Sequence, residues 1–134
     1  MPIKLSAVSE AIEMTDEELE FLYDREAGTI IPVPDDDDEA EALFEADDDE
    51  RYVALPTQYD RDDYQLMVQF TARVATGVQR PQFERALHGR GVFKRFRRVL
   101  EAAGLLDRWY EFQAAAYQEQ ARQWCQANDI AYVE

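Results

Sequence analysis

The chain has little of the chemistry on which enzymes and secreted domains rely, because its 134 residues include one cysteine, one histidine and two serines. The single cysteine, Cys125, excludes an internal disulfide and therefore a disulfide-stapled domain. Serine occurs only at Ser6 and Ser9, both near the expected first helix, which leaves little material for a Ser-His-Asp triad. We predict no catalytic residue, and we interpret Cys125 as a small helical residue and His88 as a turn or capping residue.

Long apolar runs and metal-ligand spacings are also missing. No apolar run approaches the roughly 20 residues that a membrane helix needs, and the N-terminal residues show no signal-peptide pattern. An EF-hand loop that began at Asp35 would need a glycine where Ala40 stands and a closing glutamate where Ala46 stands. We therefore predict a cytoplasmic protein that binds no membrane, no metal and no cofactor.

Basic residues are scarce, and they are concentrated in one region. The chain has 14 Lys and Arg residues against 29 Asp and Glu residues, a formal net charge of -15. Residues 10–50 contain nineteen acidic residues and one basic residue, whereas residues 80–98 contain seven basic residues and one acidic residue. The two regions carry charge of opposite sign, and this asymmetry is more informative than the total.

The N-terminal half of the sequence predicts a small antiparallel sheet after one short helix. Apolar residues recur at helical spacing over residues 5–12. Thr15 and Glu18 fit a capping box that would open a second helix. Residues 22–33 instead favour a hairpin, because the β-branched Ile30, Ile31 and Val33 follow a turn that Gly28 can close. Residues 52–56 fit a third strand that ends at a proline.

The C-terminal half of the sequence predicts about four helices. Together with the N-terminal sheet, they predict a single α+β domain over residues 1–134. Asp60 is the expected N-cap of the first of these helices. Gly104 is expected to end the third with a Schellman cap that brings Leu105 onto Leu100. The predicted helices are those that begin near 60, 81, 92 and 107, and a short strand is expected at 130–133.

Residues 35–50, DDDDEAEALFEADDDE, form an acidic segment. Like charges repel one another along it, and only Leu43 and Phe44 offer apolar anchorage. The sequence predicts a loosely docked helix at most.

Residues 89–100, GRGVFKRFRRVL, predict a helix with sharply separated faces. At 3.6 residues per turn, its apolar residues gather within an arc of roughly 120°. We expect Phe93 and Phe96 to point into the interior and so to force the basic side chains outward as one cationic surface. The candidate anion- or partner-binding residues are His88, Arg90, Lys94, Arg95, Arg97 and Arg98.

This cationic surface lacks compensating charge within its own helix. Lys94 and Arg95 lie near the start of the helix, where the dipole disfavours cations by several tenths of a kcal/mol each. Only Glu101 can pair with Arg97 or Arg98. The Gly-Arg-Gly lead-in could receive an anion, although it lacks the spacing of a phosphate-binding loop.

Several functions account for this surface. The first is an interaction or regulatory protein whose basic helix face meets an acidic surface, either on a partner, on a second copy, or in its own residues 35–50. The second is a nucleic-acid-binding protein whose patch is shielded by those residues, although the net charge of -15 opposes nonspecific binding. A nucleic-acid mimic built on the acidic run, or an enzyme of unrecognised type, is a third.

The chain resembles a bacterial family classified among the uncharacterised protein families, the UPF series. The resemblance rests on the hairpin YDREAGTI, the strand YVALP, the motif GRGVFKRF and the aromatic residues Trp109, Tyr110, Phe112 and Trp124. It covers most of the chain, with residues 35–50 as the variable part, and it implies an architecture without an established activity. The family pattern often has an acidic residue where this chain has Arg98, so the present surface is more cationic.

Overall fold

The computed structural model describes residues 2–33, 38–39, 51–74, 77 and 79–134. The protein is α+β, with a three-stranded antiparallel sheet and helices that lie mostly in the C-terminal half, which confirms the predicted fold class. The predicted acidic segment 35–50 lies outside the described residues except for Asp38 and Glu39. The elements are, in chain order, β1 (Ile3–Lys4), α1 (Leu5–Met14), β2 (Phe21–Asp24), β3 (Thr29–Pro32), β4 (Tyr52–Ala54), α2 (Gln58–Arg61), α3 (Asp63–Val74), α4 (Gln79–Ala86), α5 (Val92–Ala103), α6 (Leu106–Ala127) and β5 (Tyr132–Val133).

The chain divides into two compact units. The first comprises Met1–Arg61 and Tyr117–Glu134, and the second comprises Asp62–Ala116. Helix α6 therefore contributes its first half to the second unit and its second half to the first. A single domain over residues 1–134 stays a prediction.

The first unit contains the predicted hairpin and third strand, in the order β3-β2-β4. The hairpin closes at Gly28, where φ is +71°, a left-handed conformation that favours glycine, and its amide donates to the Asp24 carbonyl at 2.7 Å. The central strand β2 buries Leu22 and Tyr23. Pro32, which has no N–H to donate, ends the edge strand β3.

In the same unit, β1 and β5 form a separate parallel pair in which Ile3 lies opposite Tyr132. The C-terminal strand was predicted, although it is shorter than expected, and its pairing with β1 was not. The capping-box alternative at Thr15 is wrong because Thr15 ends α1, and its hydroxyl donates to the Ile12 carbonyl at 2.6 Å.

Arg61 joins α2 to the end of α1 in the same unit. Its Nη1 atom donates to the carbonyl oxygens of Glu13 at 2.9 Å and Thr15 at 3.0 Å. Its guanidinium also lies 5.8 Å from the centroid of the Tyr117 ring. A cation at the C-terminal end of a helix satisfies carbonyls that have no partner within the helix and complements its dipole.

Asp24 and Arg51 form the ion pair that ties the hairpin to β4. The buried Asp24 carboxylate accepts hydrogen bonds from Arg51 Nε at 3.1 Å and Nη2 at 3.2 Å, and from the turn amide of Glu26 at 3.0 Å. The hydrogen bond from Arg51 lowers the pKa of Asp24, against the opposing effect of burial, and the turn amides lower it further. The ionised form of Asp24 is therefore the form that the fold stabilises.

The second unit is organised around an aromatic cluster contributed by α3, α4, α5 and α6. The Phe96 ring lies 5.5 Å from that of Phe83 and 5.2 Å from that of Trp109, in edge-to-face arrangements. Phe70 lies 5.3 Å from Trp109 and 5.5 Å from Phe112. Because Phe70, Phe83 and Phe96 are fully buried, this cluster is the core of the unit.

Two predicted helix ends in this unit have different outcomes. Asp60 is not the N-cap of α3, because this helix begins after Asp62, whose carboxylate accepts a hydrogen bond from the Gln65 amide at 3.2 Å. The Schellman cap of α5 is confirmed: Gly104 has a φ of +71°, and the Leu105 amide donates to the Leu100 carbonyl at 2.9 Å.

The prediction that Phe93 points into the interior is wrong. Phe96 and Leu100 are each 1% exposed, whereas Phe93 is 63% exposed. The apolar arc of α5 is wider than the strip that neighbouring helices cover, and Phe93 lies at the edge of that arc in the first turn. The prediction for Phe96 is confirmed.

Replacement of Asp24 tests the ion pair. We expect Asp24→Asn to lower the free energy of unfolding by about 1–3 kcal/mol at neutral pH, because Arg51 loses the buried carboxylate that accepts hydrogen bonds from its Nε and Nη2 atoms. Since folding lowers the pKa of Asp24, the advantage of the wild-type protein is present above the unfolded-state pKa of about 4 and is lost as the pH falls through the lower folded-state pKa. Urea unfolding of both proteins across this range measures the difference, and an advantage independent of pH would contradict the account.

A pair of substitutions tests the rotation of α5. Phe96→Ala is expected to lower the free energy of unfolding by about 3–5 kcal/mol, because it leaves a cavity among buried rings. Phe93→Ala is expected to change it by no more than about 0.5 kcal/mol, because the ring is largely in solvent. Chemical denaturation of the two variants provides the comparison, and equal losses would show that the helix is rotated differently.

Candidate functional site

The turn that precedes α5 brings Arg90 to the surface between two glycines. Gly89 has a φ of +86° and Gly91 a φ of +69°. A Cβ atom at Gly89 would also lie 3.4 Å from Arg95 Nη2, so a side chain there would be strained in its backbone and close to a guanidinium. The two glycines thus permit a tight turn around which Arg95 can fold back.

Arg95, although it belongs to the predicted set, is directed toward its own backbone. Its Nη2 atom donates to the His88 carbonyl and lies 3.5 Å from the Ala86 carbonyl, the last residue of α4. The side chain is half-buried. Arg95 therefore acts as a cap for the C-terminal end of α4, where a cation is favoured by the helix dipole.

Arg97 is paired on the helix surface, as its spacing from Glu101 predicts. Its Nε atom lies 3.1 Å from the Glu101 carboxylate. The hydrogen bond with Glu101 raises the pKa of Arg97 above its usual range, and the Tyr110 phenol raises it further. Both side chains are more than half exposed, so the pair is screened by solvent and contributes little to stability.

The other predicted cations have no such partner. Arg90, Lys94 and Arg98 are exposed and form no ion pair with any residue that the structure describes, and His88 is exposed in the turn. No acidic residue lies in the first turn of α5, and Gly91 supplies no side-chain cap. Lys94 in particular lies at the positive end of a helix without a counter-charge in that turn.

A further arginine, Arg85 of α4, extends this basic surface beyond the predicted set. With Arg95 and Arg98 it lines a shallow hollow of about 450 Å³, which we call the arginine hollow. Its other lining residues are Gln82, Ala86 and Val99. The sequence shows Arg85 within the basic region, but only the packing of α4 on α5 brings it beside Arg98.

A second concave surface, the aromatic cleft, lies along α5 and also belongs to the second unit. It has a volume of about 390 Å³. Exposed Phe93 and Tyr110 line it together with two cations of α5 and the Asp63 carboxylate of α3. The lining residues are Asp63, Met67, Phe93, Lys94, Phe96, Arg97, Leu100, Leu106, Trp109, Tyr110 and Gln113. The exposure of Phe93 at this cleft was not predicted from the sequence.

Cys125 is a buried residue of α6, in agreement with its interpretation as a small helical residue, and burial raises the pKa of its thiol. Within the described ranges, no three His, Cys, Asp or Glu side chains are grouped so that they could hold a metal ion. No helix in those ranges is long and apolar enough to cross a membrane.

Comparison with known proteins identifies a family and no individual relative. Neither a search of curated proteins nor a search of solved structures found a match to this chain. A family model matches residues 1–134, and it is described as an uncharacterised protein family. The assignment of GRGVFKRF as a motif of this family stays a prediction. The chain belongs to the Uncharacterised protein family UPF0158.

Proposed function

We propose that this protein is a small interaction protein that binds an acidic surface of another protein through the basic face of α5. The observation that carries the proposal is the set of exposed cations, Arg90, Lys94 and Arg98, which have no ion-pair partner within the described part of the chain. A surface helix needs a polar face, but it does not need four basic residues against one acidic residue, Glu101, as α5 has. Carboxylates from a partner would neutralise these charges.

The composition of the basic surface supports a partner that presents carboxylates in defined positions. Arg98 and the neighbouring Arg85 carry planar guanidinium groups, which can each hold a carboxylate through two parallel hydrogen bonds. Lys94 supplies a compact charge on a flexible stem. Two of the predicted cations are already engaged, Arg95 by backbone carbonyls and Arg97 by Glu101, and they position the surface more than they bind the partner.

The overall charge favours a local acidic patch over a nucleic-acid backbone. A net charge of -15 repels a polyanion at low ionic strength, and nucleic acid carries one charge for about every 1.7 Å of duplex. A protein partner presents a few carboxylates at short range, where contacts outweigh a long-range repulsion that salt screens beyond about 8 Å. Nucleic-acid binding by the arginine hollow is the second candidate, since the guanidinium groups of Arg85 and Arg98 also suit phosphates.

Reversal of two charges tests the proposal. We expect Lys94→Glu combined with Arg98→Glu to reduce capture of specific proteins from an extract of the native host by at least about tenfold, because attraction becomes repulsion at two contacts. The matched control combines Arg73→Glu with Arg108→Glu, which changes the net charge equally on exposed residues of α3 and α6. The control is expected to capture the same proteins as the wild type.

The capture is done at moderate ionic strength, with and without nuclease, and the oligomeric state of each protein is measured by sedimentation. A loss confined to the α5 variant and insensitive to nuclease would support the proposal. Capture abolished by nuclease would favour the nucleic-acid candidate. Unchanged capture together with an unchanged oligomeric state would refute a role for this face.

A further inference from the structure

The aromatic cleft combines an apolar interior with an exposed aromatic margin. Phe96, Leu100 and Trp109 are buried side chains that also line it. At its margin, Phe93 is 63% exposed and Tyr110 is 45% exposed. Single exposed apolar residues are common on protein surfaces, but here two exposed aromatic residues line the same cavity. Aromatic residues are enriched at the centres of protein interfaces, where they fill or form pockets.

The size of the cleft suits a side chain and the backbone that carries it. Its volume is about 390 Å³, whereas a buried apolar cavity of roughly 150 Å³ is enough to hold benzene. A large globular surface could not enter a recess of this size. A protruding leucine or phenylalanine on an extended segment could enter it.

The charges of the lining residues indicate what should flank that side chain. Lys94 and Arg97 line the cleft from α5, and Lys94 has no ion-pair partner among the described residues. The carboxylate in the lining, Asp63, belongs to α3. Carboxylates that flank an inserted side chain would therefore be attracted to the α5 side of the cleft.

From these three features we infer that the aromatic cleft binds a linear peptide segment of a partner protein, in which one bulky apolar side chain is flanked by carboxylates. The apolar side chain enters between Phe93 and the buried residues, and a flanking carboxylate pairs with Lys94. This inference rests on the proposed function and adds to it the feature of the partner that is recognised, an apolar side chain between carboxylates. It distinguishes anchored peptide binding from attraction between charged surfaces alone.

The test uses a short fluorescein-labelled peptide in which a leucine-phenylalanine pair stands between two runs of aspartate and glutamate. A second peptide carries two serines in place of that pair and has the same charge. Fluorescence anisotropy measures the binding of each peptide to the full chain. We expect the serine peptide to bind at least about tenfold more weakly, because it lacks the anchor.

Variants of the full chain locate the bound peptide. Phe93→Ala is expected to weaken binding of the anchored peptide at least about fivefold without a change in melting temperature, and Lys94→Glu is expected to weaken it at least as much. The matched control is Tyr59→Ala, which removes an aromatic ring that is 80% exposed in the first unit. The control is expected to bind like the wild type.

Each other outcome overturns the inference in a distinguishable way. Equal binding of both peptides that still requires Lys94 would leave the proposed function standing without an anchor site. The proposed function would also stand without an anchor site if neither peptide binds but capture of proteins from the native host still depends on Lys94 and Arg98. In a last case, the anchored peptide binds only to a variant of the full chain in which Leu43 and Phe44 are both changed to serine. That result would assign the cleft to the chain's own acidic segment and not to a partner.

Discussion

Burial of Phe96 and Leu100 is the constraint on which the basic surface depends. Both side chains lie in the core of the second unit, and successive residues of a helix are separated by about 100° around its axis. Once these two residues face inward, Lys94 and Arg98 must face outward and Phe93 must stand at the edge of the apolar arc. The charged surface and the aromatic cleft are therefore two consequences of one packing arrangement.

The same arrangement divides the basic residues of α5 by role. Arg95 caps the end of α4 and Arg97 pairs with Glu101, so neither contributes a full free charge to the surface. The exposed cations that remain are fewer than the sequence indicates, but Arg85 of α4 adds one beside Arg98. Backbone carbonyls and one carboxylate thus hold Arg95 and Arg97 in place, and Arg90, Lys94 and Arg98 are left exposed.

Features determined by neighbouring residues could be predicted from the sequence, and features that depend on distant packing could not. The hairpin at Gly28 and the cap at Gly104 follow from local conformational preferences. The pairing of Ile3 with Tyr132, and the hydrogen bonds of Arg61 to the end of α1, join residues that no periodicity connects. Phe93 was mispredicted because a helical pattern gives the direction of a side chain and not whether a neighbour covers it.

The solvent exposure of Phe93 and Phe96 tests this account most directly. With fluorinated phenylalanine incorporated throughout, ¹⁹F resonances of these two residues can be assigned by replacing each with leucine. A soluble paramagnetic reagent is expected to broaden the Phe93 resonance strongly and to leave that of Phe96 nearly unaffected, as their exposures of 63% and 1% require. Similar broadening of both resonances, or protection of Phe93, would contradict the rotation of α5 and with it the basic surface and the cleft.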